Sequence, residues 1–428
     1  MKKKKKFLKD KRFLHTGFDL NLLLVILFLN VFGIIMIYSA SYYYAESAYH
    51  YASNHFFINQ LMWVGLGLAL MYFVSFIRPG FYSSFWLIAL IACLGLCVAV
   101  RIPGFGWSSH GAYRWIKFGS QTIQIAEPVK ICFIIFLAAM LSRKDLTSPK
   151  NYLTIFGVSA AVSGMLLILS NNMSTAMIVF GMMYFTMMVA YPKPKWLIII
   201  FFAGCLLVLL AVLSIKHLIP FDPSENFRIT RIRAWLDPSN PDYADDQAYQ
   251  ATQALYAIAS GGFWGKGLGQ SLIKFRLPEP HNDYILAIIF EELGIFGVLL
   301  LTFLFVYLLY KIYEVYMHAK DRFSKAVTLG VFFHLAIQIL LNYAVTIGFL
   351  PTMGVTLPFI SAGGSSAFFT LAELGVILAI SRQNNEDKLY AEAKAEAEEQ
   401  DPYLKQLNQE NYARYLSQKR RKRKRTAG

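Results

Sequence analysis

Charged residues are scarce in this sequence, and long apolar runs are abundant. Of the 428 residues only 16% are Asp, Glu, Lys or Arg, whereas 56% are apolar or aromatic. Soluble domains contain about 25% charged residues, so an ordinary water-soluble fold is excluded. Apolar runs of about 20 residues, the length that a helix needs to cross a bilayer, recur between residues 20 and 382. The composition therefore predicts an all-α polytopic membrane protein.

Cysteine and nucleotide-binding signatures are scarce too. The four cysteines all lie in apolar segments, where thiols pack as small hydrophobic groups: Cys93, Cys97, Cys132 and Cys205. We therefore expect neither disulfides nor a cysteine metal site. The glycine-rich stretch 261–271 contains no Gly-Lys-Ser/Thr and no βαβ pattern flanks it, so it is not a phosphate-binding loop of the nucleotide type.

The formal net charge of +15 is concentrated at the two ends of the chain. Residues 1–12 contain eight Lys or Arg, and residues 419–425 are an unbroken basic run. In a soluble protein such an excess would suggest nucleic acid. Beside apolar spans it indicates anchoring at an anionic leaflet, so we predict membrane lipids as partners and no nucleic acid.

The apolar pattern predicts about ten transmembrane helices, at 20–40, 57–77, 84–101, 127–142, 152–170, 173–190, 196–216, 284–310, 326–349 and 364–382. An even number of spans places both termini on one side. The connections 41–56 and 350–363 contain no Lys or Arg, so they are predicted to lie outside and the termini in the cytoplasm. The other outer loops, 102–126 and 217–283, are long or charged, and function is expected there.

Composition divides the chain into three parts. Residues 1–19 form a basic cytoplasmic N-terminus, and 20–382 form a transmembrane domain whose large outer loop spans 217–283. Residues 383–428 form a charged cytoplasmic tail. The Ala- and Glu-rich start of this tail favours a surface helix, although a disordered tail is an equally good interpretation.

Several charged residues lie in or beside the apolar segments, where charge is costly and often functional. Glu127 and Lys130 share one helix face and form either a self-neutralising pair or part of a site. Asp283, where the outer loop enters a span, is either a helix N-cap or a functional carboxylate. Glu291 and Glu292 follow it by about 12–14 Å along a helix and need hydrogen-bond donors from neighbouring helices.

Two uncharged polar patterns complete the candidates. The tract 350–366 is interrupted by Gly and Pro, so it is either a re-entrant loop whose amides meet an anion or a plain turn. His334, Gln338 and Asn342 recur every four residues and predict interhelical hydrogen bonds rather than a site.

Basic residues of the two outer loops suit phosphate or pyrophosphate, or simply anionic lipid: Arg114, Lys117, Arg228, Arg231, Arg233, Lys266, Lys274 and Arg276.

Four separated motifs resemble those of one family, the SEDS (shape, elongation, division and sporulation) glycosyltransferases FtsW, RodA and SpoVE. They are Gly111-Ala-Tyr-Arg-Trp115, Gln124-Ile-Ala-Glu-Pro-Val-Lys130, Leu277-Pro-Glu-Pro-His-Asn-Asp283 and Pro358-Phe-Ile-Ser-Ala-Gly-Gly-Ser-Ser366. The resemblance covers about residues 20–382. The stretch Gly267-Leu-Gly-Gln-Ser-Leu-Ile-Lys274 is similar to the FtsW and SpoVE form, which favours the division branch over the RodA branch. The chain departs from the family pattern at Pro128 and at Asn171-Asn172.

The resemblance implies a glycosyltransferase that polymerises lipid II into glycan strands for septal cell-wall synthesis, in the bacterial cytoplasmic membrane. Asp283 then corresponds to the catalytic residue, a base for the acceptor hydroxyl. Substrate-binding residues are expected at Arg114, Trp115, Lys117, Glu127, Lys130, Lys274, Arg276, His281, Ser361, Gly363, Gly364 and Ser365. A divalent cation, Mg or Mn, can assist the pyrophosphate, and no organic cofactor is expected. Implied partners are a class B penicillin-binding transpeptidase and other division proteins.

Three alternatives stay open at this point. A lipid II flippase would use buried charges, although transporter sites usually lie at the midplane between internal repeats, and no repeat is visible here. A RodA-type elongation polymerase would share the chemistry. A scaffold that recruits division partners through its tails would leave Asp283 dispensable.

Overall fold

The computed structural model describes residues 17–49, 52–109, 112–118, 121–145, 148–191, 195–217, 227–240 and 248–400. The basic runs at both ends lie outside these residues. The described part is almost entirely helical, as the composition predicts. Contacts divide the chain into two units, one of Leu20–Ile380 and one that combines Met1–Asp19 with Ser381–Gly428.

Eight of the described helices are long and apolar enough to cross a membrane. They are α1 (Leu20–Tyr49), α2 (His55–Val74), α6 (Pro149–Leu169), α7 (Met173–Ala190), α8 (Lys195–His217), α11 (Ile285–His318), α12 (Arg322–Thr346) and α13 (Gly364–Gln400). Each coincides with one of the predicted spans.

The other two predicted spans are shorter or more charged than expected. The span predicted at 84–101 consists of a short helix α3 (Pro79–Ser84) and α4 (Trp86–Ala99), whose 14 residues extend only about 21 Å. The span predicted at 127–142 is α5 (Ala126–Arg143), which contains three charged residues in 18. The sequence count of ten therefore includes two helices less apolar or shorter than a typical span.

The loop predicted at 102–126 is a small antiparallel sheet, which the sequence analysis missed. Strands β1 (Gly106–Ser109), β2 (Ala112–Phe118) and β3 (Gln121–Gln124) pair in the order β1-β2-β3. Trp115 pairs with Trp107 on one side and Gln124 on the other. Consecutive side chains of β2 point to opposite faces of the sheet, so the side chains of Arg114 and Trp115 lie on different faces.

The outer loop predicted at 217–283 contains two short helices among its described residues. They are α9 (Phe227–Leu236) and α10 (Tyr249–Gly261), and a 3₁₀ turn follows at Ile273–Phe275. α10 packs along the first part of α11. The tract 350–363 is irregular and connects α12 to α13.

Helix α11 is broken at Gly294, which has φ 68° and ψ −169°. The first part, 285–293, ends against the loop that follows α10. The amides of Lys266 and Gly267 donate to the carbonyls of Glu291 and Glu292, both at 2.9 Å, and the Ile295 amide donates to the Gly262 carbonyl at 3.1 Å. The break is thus satisfied by protein, which a helix needs wherever water is excluded.

Helices α5 and α12 form the buried interior of the first unit. Gly330 of α12 lies so close to α5 that a Cβ built there would be 3.0 Å from Ile134 Cγ2. This close approach brings Lys130 of α5 against Gln338 of α12. A polar layer thereby crosses an otherwise apolar interior.

In the second unit, the described residues of the tail are helical. Helix α13 extends to Gln400, which confirms the helical interpretation of the tail start for this part. Arg382 and Glu386 form an ion pair at 3.4 Å, and the Asn385 side chain donates to the Gly17 carbonyl at 3.1 Å.

Candidate active site

The backbone before α11 is tied to two other elements, and these ties position Asp283. The Asn342 side chain of α12 donates to the Asp283 carbonyl at 2.9 Å and to the Val355 carbonyl at 2.7 Å. The Ser361 hydroxyl donates to the Asn282 carbonyl at 2.8 Å, and the Ala362 amide donates to the His281 carbonyl at 2.8 Å. Segment 277–284 and the tract 350–363 therefore form one hydrogen-bonded structure.

Asp283 does not act as the helix cap considered from the sequence. In the fully described helix α11 the N-cap position is Tyr284, and no side chain caps it. The Asp283 carboxylate instead faces Gly354, where a Cβ would lie 3.4 Å from Asp283 Oδ2 and 4.0 Å from Arg114 Nη1. Gly354 has φ 67°, a conformation that also favours glycine, so a small residue keeps the space between the two charges open.

The surroundings hold the pKa of Asp283 above its ordinary value, at about 6. Removal from water is the main cause, and the nearby Glu279 carboxylate adds to it. The guanidinium groups of Arg114 and Arg231 act in the opposite direction. Asp283 is therefore mostly ionised at neutral pH and still basic enough to accept a proton from a substrate hydroxyl.

Arg114 is held in place by the turn before α7. Its Nη2 donates to the Asn171 carbonyl at 3.1 Å, and Asn171 has φ 50°. Asn172 is the N-cap of α7, since its side chain accepts from the Thr175 amide at 3.1 Å. The departure from the family pattern at this position thus has a structural role. The Ser174 hydroxyl donates to the Met353 carbonyl, which fixes the same tract that contains Gly354.

Arg231 is the second guanidinium beside Asp283, and helix α9 positions it. Its Nη1 donates to the Thr352 carbonyl at 3.2 Å. Four residues later, Trp235 Nε1 donates to the Gly348 carbonyl at 2.8 Å. Sequence reasoning named Arg231 among the basic loop residues without selecting it. Only the folded loop shows that α9 lies against the tract 350–363.

Lys117, Lys274 and Arg276 do not join Arg114 at Asp283. Lys117 is exposed, and its amine lies over the Trp107 ring, 4.7 Å from the centroid. Arg276 is exposed and lines a separate cavity of 370 Å³ with Tyr249. Lys274 is buried in an ion pair with Glu292 at 3.4 Å. These three cations are therefore not part of the same cluster.

Glu291 and Glu292 are fully buried, and their donors come chiefly from the loop after α10. Lys266 Nζ lies 2.6 Å from Glu291 Oε1. The Leu272 and Ile273 amides also donate to Glu291, and the Ser39 hydroxyl of α1 donates to Glu292 at 2.6 Å. The Ser260 hydroxyl of α10 donates to Glu291 at 3.2 Å, so α1 and α10 provide part of the donors that we expected from neighbouring helices. The two carboxylates thus anchor this loop to α11 and α1.

Glu127 and Lys130 form the predicted ion pair, with 3.0 Å between Lys130 Nζ and Glu127 Oε2 and side chains at most 5% exposed. The pair extends further than the sequence suggested. Lys130 donates to Gln338 Oε1 at 3.1 Å, and Gln338 Nε2 donates to the Thr356 carbonyl at 3.0 Å. The pair is therefore linked through Gln338 to the tract 350–363.

The polar face of α12 makes interhelical contacts, as predicted. His334 Nε2 lies 2.9 Å from Gln338 Oε1, and His334 Nδ1 lies 2.7 Å from Glu373 Oε2. Glu373 of α13 is buried, and sequence reasoning did not select it. A lone carboxylate inside an apolar span was the available signal.

A cavity of 260 Å³ is lined by part of segment 277–284 and by further predicted site residues: His281, Trp115, Gly363, Gly364 and Ser365. Ser361 lies next to them but uses its hydroxyl within the protein, accepting from the Leu357 amide at 2.7 Å and donating to Asn282. Within the tract 350–366, Ser361 therefore makes internal hydrogen bonds, whereas Gly363, Gly364 and Ser365 line the cavity.

Metal-binding groups are sparse in the part of the chain that the structure describes. No group of three or more His, Cys, Asp or Glu side chains there could hold a metal ion by itself. Asp283 and Glu279 are the two carboxylates that influence each other at the candidate site. Mg²⁺ is typically held by one or two carboxylates together with substrate phosphates, so this pair fits only a substrate-assisted site.

The fold resembles two solved structures. A chain of a peptidoglycan synthase complex, studied for the structural coordination of polymerization and crosslinking, superimposes with a TM-score of 0.70 at 24% identity, over 86% of this chain and 98% of that chain. The rod shape determining protein RodA of Thermus thermophilus gives 0.62 at 21% identity over the same shares. At these identities the likeness concerns the fold.

Sequence comparison is more specific. The chain is 34% identical over 376 residues to stage V sporulation protein E of Bacillus subtilis, which covers 86% of this chain and 98% of that protein. It is 32% identical over 372 residues to the probable peptidoglycan glycosyltransferase FtsW of Geobacter metallireducens, which covers 85% and 94%. The profile of the FtsW/RodA/SpoVE family, described as a cell cycle protein, matches residues 20–386. With its polytopic fold and a match over nearly all described residues, the chain belongs to the FtsW/RodA/SpoVE family.

Proposed function

We propose that the protein is a peptidoglycan glycosyltransferase that polymerises lipid II into glycan strands. One observation carries the proposal: a carboxylate with a raised pKa, Asp283, lies beside the two anchored guanidinium groups of Arg114 and Arg231. A base next to fixed positive charge suits the transfer of a sugar from a pyrophosphate leaving group to a hydroxyl. The names of the FtsW relatives support the same activity.

The proposed reaction is a single displacement. Asp283 accepts the proton of the acceptor hydroxyl, and the hydroxyl oxygen forms a bond to the anomeric carbon of the donor sugar. The bond from that carbon to the pyrophosphate oxygen breaks, and the electron pair leaves with the pyrophosphate. Arg114 and Arg231 stabilise the charge that develops there. The acceptor hydroxyl attacks the anomeric carbon from the face opposite to the leaving pyrophosphate. An α-linked donor therefore gives a β-linked product.

A divalent cation belongs to the proposal as an assistant of the leaving group. Asp283 and Glu279, together with phosphate oxygens of the substrate, are the groups that would hold Mg²⁺ or Mn²⁺, and the cation would neutralise phosphate charge. Treatment with a chelator should then lower turnover, and added Mg²⁺ or Mn²⁺ should restore it. Full activity after chelation would remove the cation from the proposal.

The cellular setting is also proposed from the relatives. We place the protein in the bacterial cytoplasmic membrane at the division septum, with a class B penicillin-binding transpeptidase as its partner. The structural neighbour from a complex that couples polymerization to crosslinking supports such a partner. A RodA-type role in elongation would use the same site with a different partner.

The test is lipid II polymerisation by the purified protein with its cognate transpeptidase. Asp283→Asn keeps the size and polarity of the side chain but removes the base, so we expect at least a hundredfold loss of glycan formation. Asp237→Asn is the matched control, because Asp237 is an exposed aspartate that follows α9. We expect normal activity from that variant.

The alternatives give different results in this assay. A flippase or a scaffold would form no glycan with either the wild-type protein or the control variant. Wild-type activity in Asp283→Asn would contradict the role of the carboxylate.

A further inference from the structure

The cavity beside segment 277–284 differs chemically from the cluster at Asp283. We call it the Trp63 cavity, after the α2 side chain that forms one wall, and its volume is 260 Å³. Its walls come from α2, β2, β3, segment 277–284, the end of the tract 350–363 and the start of α13. The residues that matter below are Phe56, Gln60, Trp63, Trp115, Glu279 and His281.

The charges around this cavity disfavour a phosphate. No Lys or Arg lines it among the described residues, whereas the carboxylate of Glu279 does. The guanidinium of Arg114 is on the opposite face of β2 from the Trp115 side chain, because neighbouring strand residues alternate. An anion in the cavity would therefore meet the Glu279 carboxylate, and the described lining residues include no Lys or Arg, so we expect a neutral occupant.

Two polar atoms of the cavity walls lack hydrogen-bond partners among the described residues: Gln60 Nε2 and His281 Nδ1. Each side chain is only 2% exposed. A buried polar group without a partner costs about 1–3 kcal/mol, so such groups are normally satisfied by water or ligand. Burial also lowers the pKa of His281 to about 4, so the imidazole is neutral and offers one donor and one acceptor.

Aromatic rings form the apolar part of the walls. Trp63 is locked against the start of α13, where a Cβ built at Gly364 would lie 2.1 Å from its ring. Phe56 packs on the His281 ring with centroids 4.2 Å apart. Rings beside amide and imidazole groups suit a flat ligand that carries C–H bonds on one face and amide or hydroxyl groups at its edge. An N-acetylhexosamine ring has this character.

The cavity is next to the reacting groups. Glu279 lines it, and the same carboxylate influences Asp283. Asn282 also lines it and directly precedes Asp283. The proposed base is thus influenced by the guanidinium groups of Arg114 and Arg231 and lies next to residues that line a ring-walled cavity without Lys or Arg among its described lining residues.

We propose that the Trp63 cavity binds the N-acetylhexosamine ring of the acceptor, which presents its hydroxyl to Asp283. This rests on the proposed function, because it assigns the acceptor to one side of the same site. It also replaces, for the part of the tract 350–366 that lines the cavity, the expectation that its amides meet an anion. Gly363, Gly364 and Ser365 line the sugar site instead.

The experiment measures binding of a soluble N-acetylglucosamine oligomer, which has neither lipid nor pyrophosphate, to the purified full-length protein by calorimetry. Gln60→Leu keeps the size of the side chain and removes its amide. We expect a fivefold or greater loss of affinity, which corresponds to about one hydrogen bond. Trp115→Leu should lose as much, whereas Trp115→Phe should retain binding because a ring remains.

Matched variants outside the cavity separate this role from a structural one. Gln270→Leu replaces an exposed glutamine, and Trp264→Leu replaces an exposed tryptophan of the loop after α10, which does not line the cavity. Both should bind the oligomer as the wild-type protein does. Gln60→Leu should not lower the melting temperature without ligand, since it removes an unpartnered polar atom, but should raise KM for the lipid-linked substrate more than it lowers kcat.

The outcomes distinguish this proposal from the proposed function. If the protein forms glycan and Gln60→Leu and Trp115→Leu show normal oligomer affinity and KM, the sugar site is wrong while the activity stands. If the protein forms no glycan but oligomer binding depends on these residues, the activity is wrong while the site stands. Wild-type protein that does not bind the oligomer at millimolar concentration, or pyrophosphate binding that weakens equally in both cavity variants, would also overturn the sugar site.

Discussion

Asp283 combines two properties that conflict in a folded protein, ionisation and removal from water. Its pKa is about 6 in the structure and 3.8 for the free side chain, so the folded state binds a proton more tightly than the unfolded chain. Below about pH 4 the Asp283 carboxyl is protonated in both the folded and the unfolded state, so it does not lower the free energy of unfolding. Between pH 4 and 6 its ionisation increasingly favours the unfolded chain, and above pH 6 the whole penalty is present.

We therefore expect Asp283→Asn to stabilise the protein while it abolishes activity. The gain should be about 1 kcal/mol at pH 8, allowing for solvent screening at a half-buried group, and should shrink as the pH falls from 6 to 4. Thermal unfolding of both proteins across this pH range measures it. A gain that is constant with pH, or that grows in acid, would contradict the raised pKa.

The activity of the wild-type protein should follow the same ionisation. The base must be deprotonated, so turnover should rise with pH along a limb centred near 6. A pH profile of polymerisation in detergent measures the limb. A flat profile between pH 5 and 7 would mean that another group limits the reaction.

The Arg114 guanidinium both donates a hydrogen bond to the Asn171 carbonyl and places positive charge near Asp283, and a lysine amine cannot do both in the same geometry. One guanidinium nitrogen is committed to the Asn171 carbonyl, and the rest of the planar group faces the space beside Gly354 and Asp283. A lysine amine offers a single point charge. We expect Arg114→Lys to lose at least tenfold in turnover in neutral detergent. The control is Arg276→Lys, an exposed change away from Asp283, and near-normal turnover in Arg114→Lys would leave Arg231 as the main phosphate ligand.

At the scale of helices, the pair of Glu127 and Lys130 joins α5 to α12. Lys130→Met leaves Glu127 buried without its cation, so we expect a loss of about 3–5 kcal/mol, whereas adding Glu127→Gln should recover a large part of it. A double-mutant cycle on thermal stability measures this coupling. The comparison pair is Lys311 and Glu314, also three residues apart, where Glu314 is 39% exposed. That pair should couple by less than about 1 kcal/mol, and strict additivity at Glu127 and Lys130 would contradict the contact.

The break in α11 depends on one glycine. A Cβ at Gly294 would lie 2.3 Å from the Phe263 carbonyl oxygen, and its φ and ψ belong almost only to glycine. Gly294→Ala should therefore cost about 3 kcal/mol or more and loosen the loop after α10. Gly164→Ala in α6 is the control, since nothing lies within 4 Å of its Cβ. Equal stability of the two variants would show that the break is not required.

At the scale of the whole molecule, the orientation in the membrane is still a prediction from the positive-inside rule. Two exposed positions test it, Asn54 between α1 and α2 and Lys150 at the start of α6. In a background without the four native cysteines, a membrane-impermeant maleimide applied to whole cells should label Asn54→Cys and not Lys150→Cys. The reverse pattern would place the termini and Asp283 on the other sides.

The fold was largely predictable because a membrane span can be recognised from the composition of one continuous segment. Every one of the eight long apolar helices coincides with a predicted apolar run, since a bilayer admits only segments that satisfy their own backbone. The sheet at 106–124 was missed because its short strands are recognised by pairing with each other and not by periodicity. The break at Gly294 was missed because one glycine in an apolar run carries no visible signal until a loop packs against it.

The sequence by itself determined the spans, the ion pair of Glu127 with Lys130, and the identity of Asp283 as a candidate. These depend on neighbours along one helix or on motifs within one segment. Only the tertiary structure decided which cations accompany Asp283. Arg231 joins Arg114 there because α9 lies on the tract 350–363, whereas Lys274 is neutralised by Glu292. Charge density in a loop is a local property, but the distance between two side chains depends on packing between distant segments.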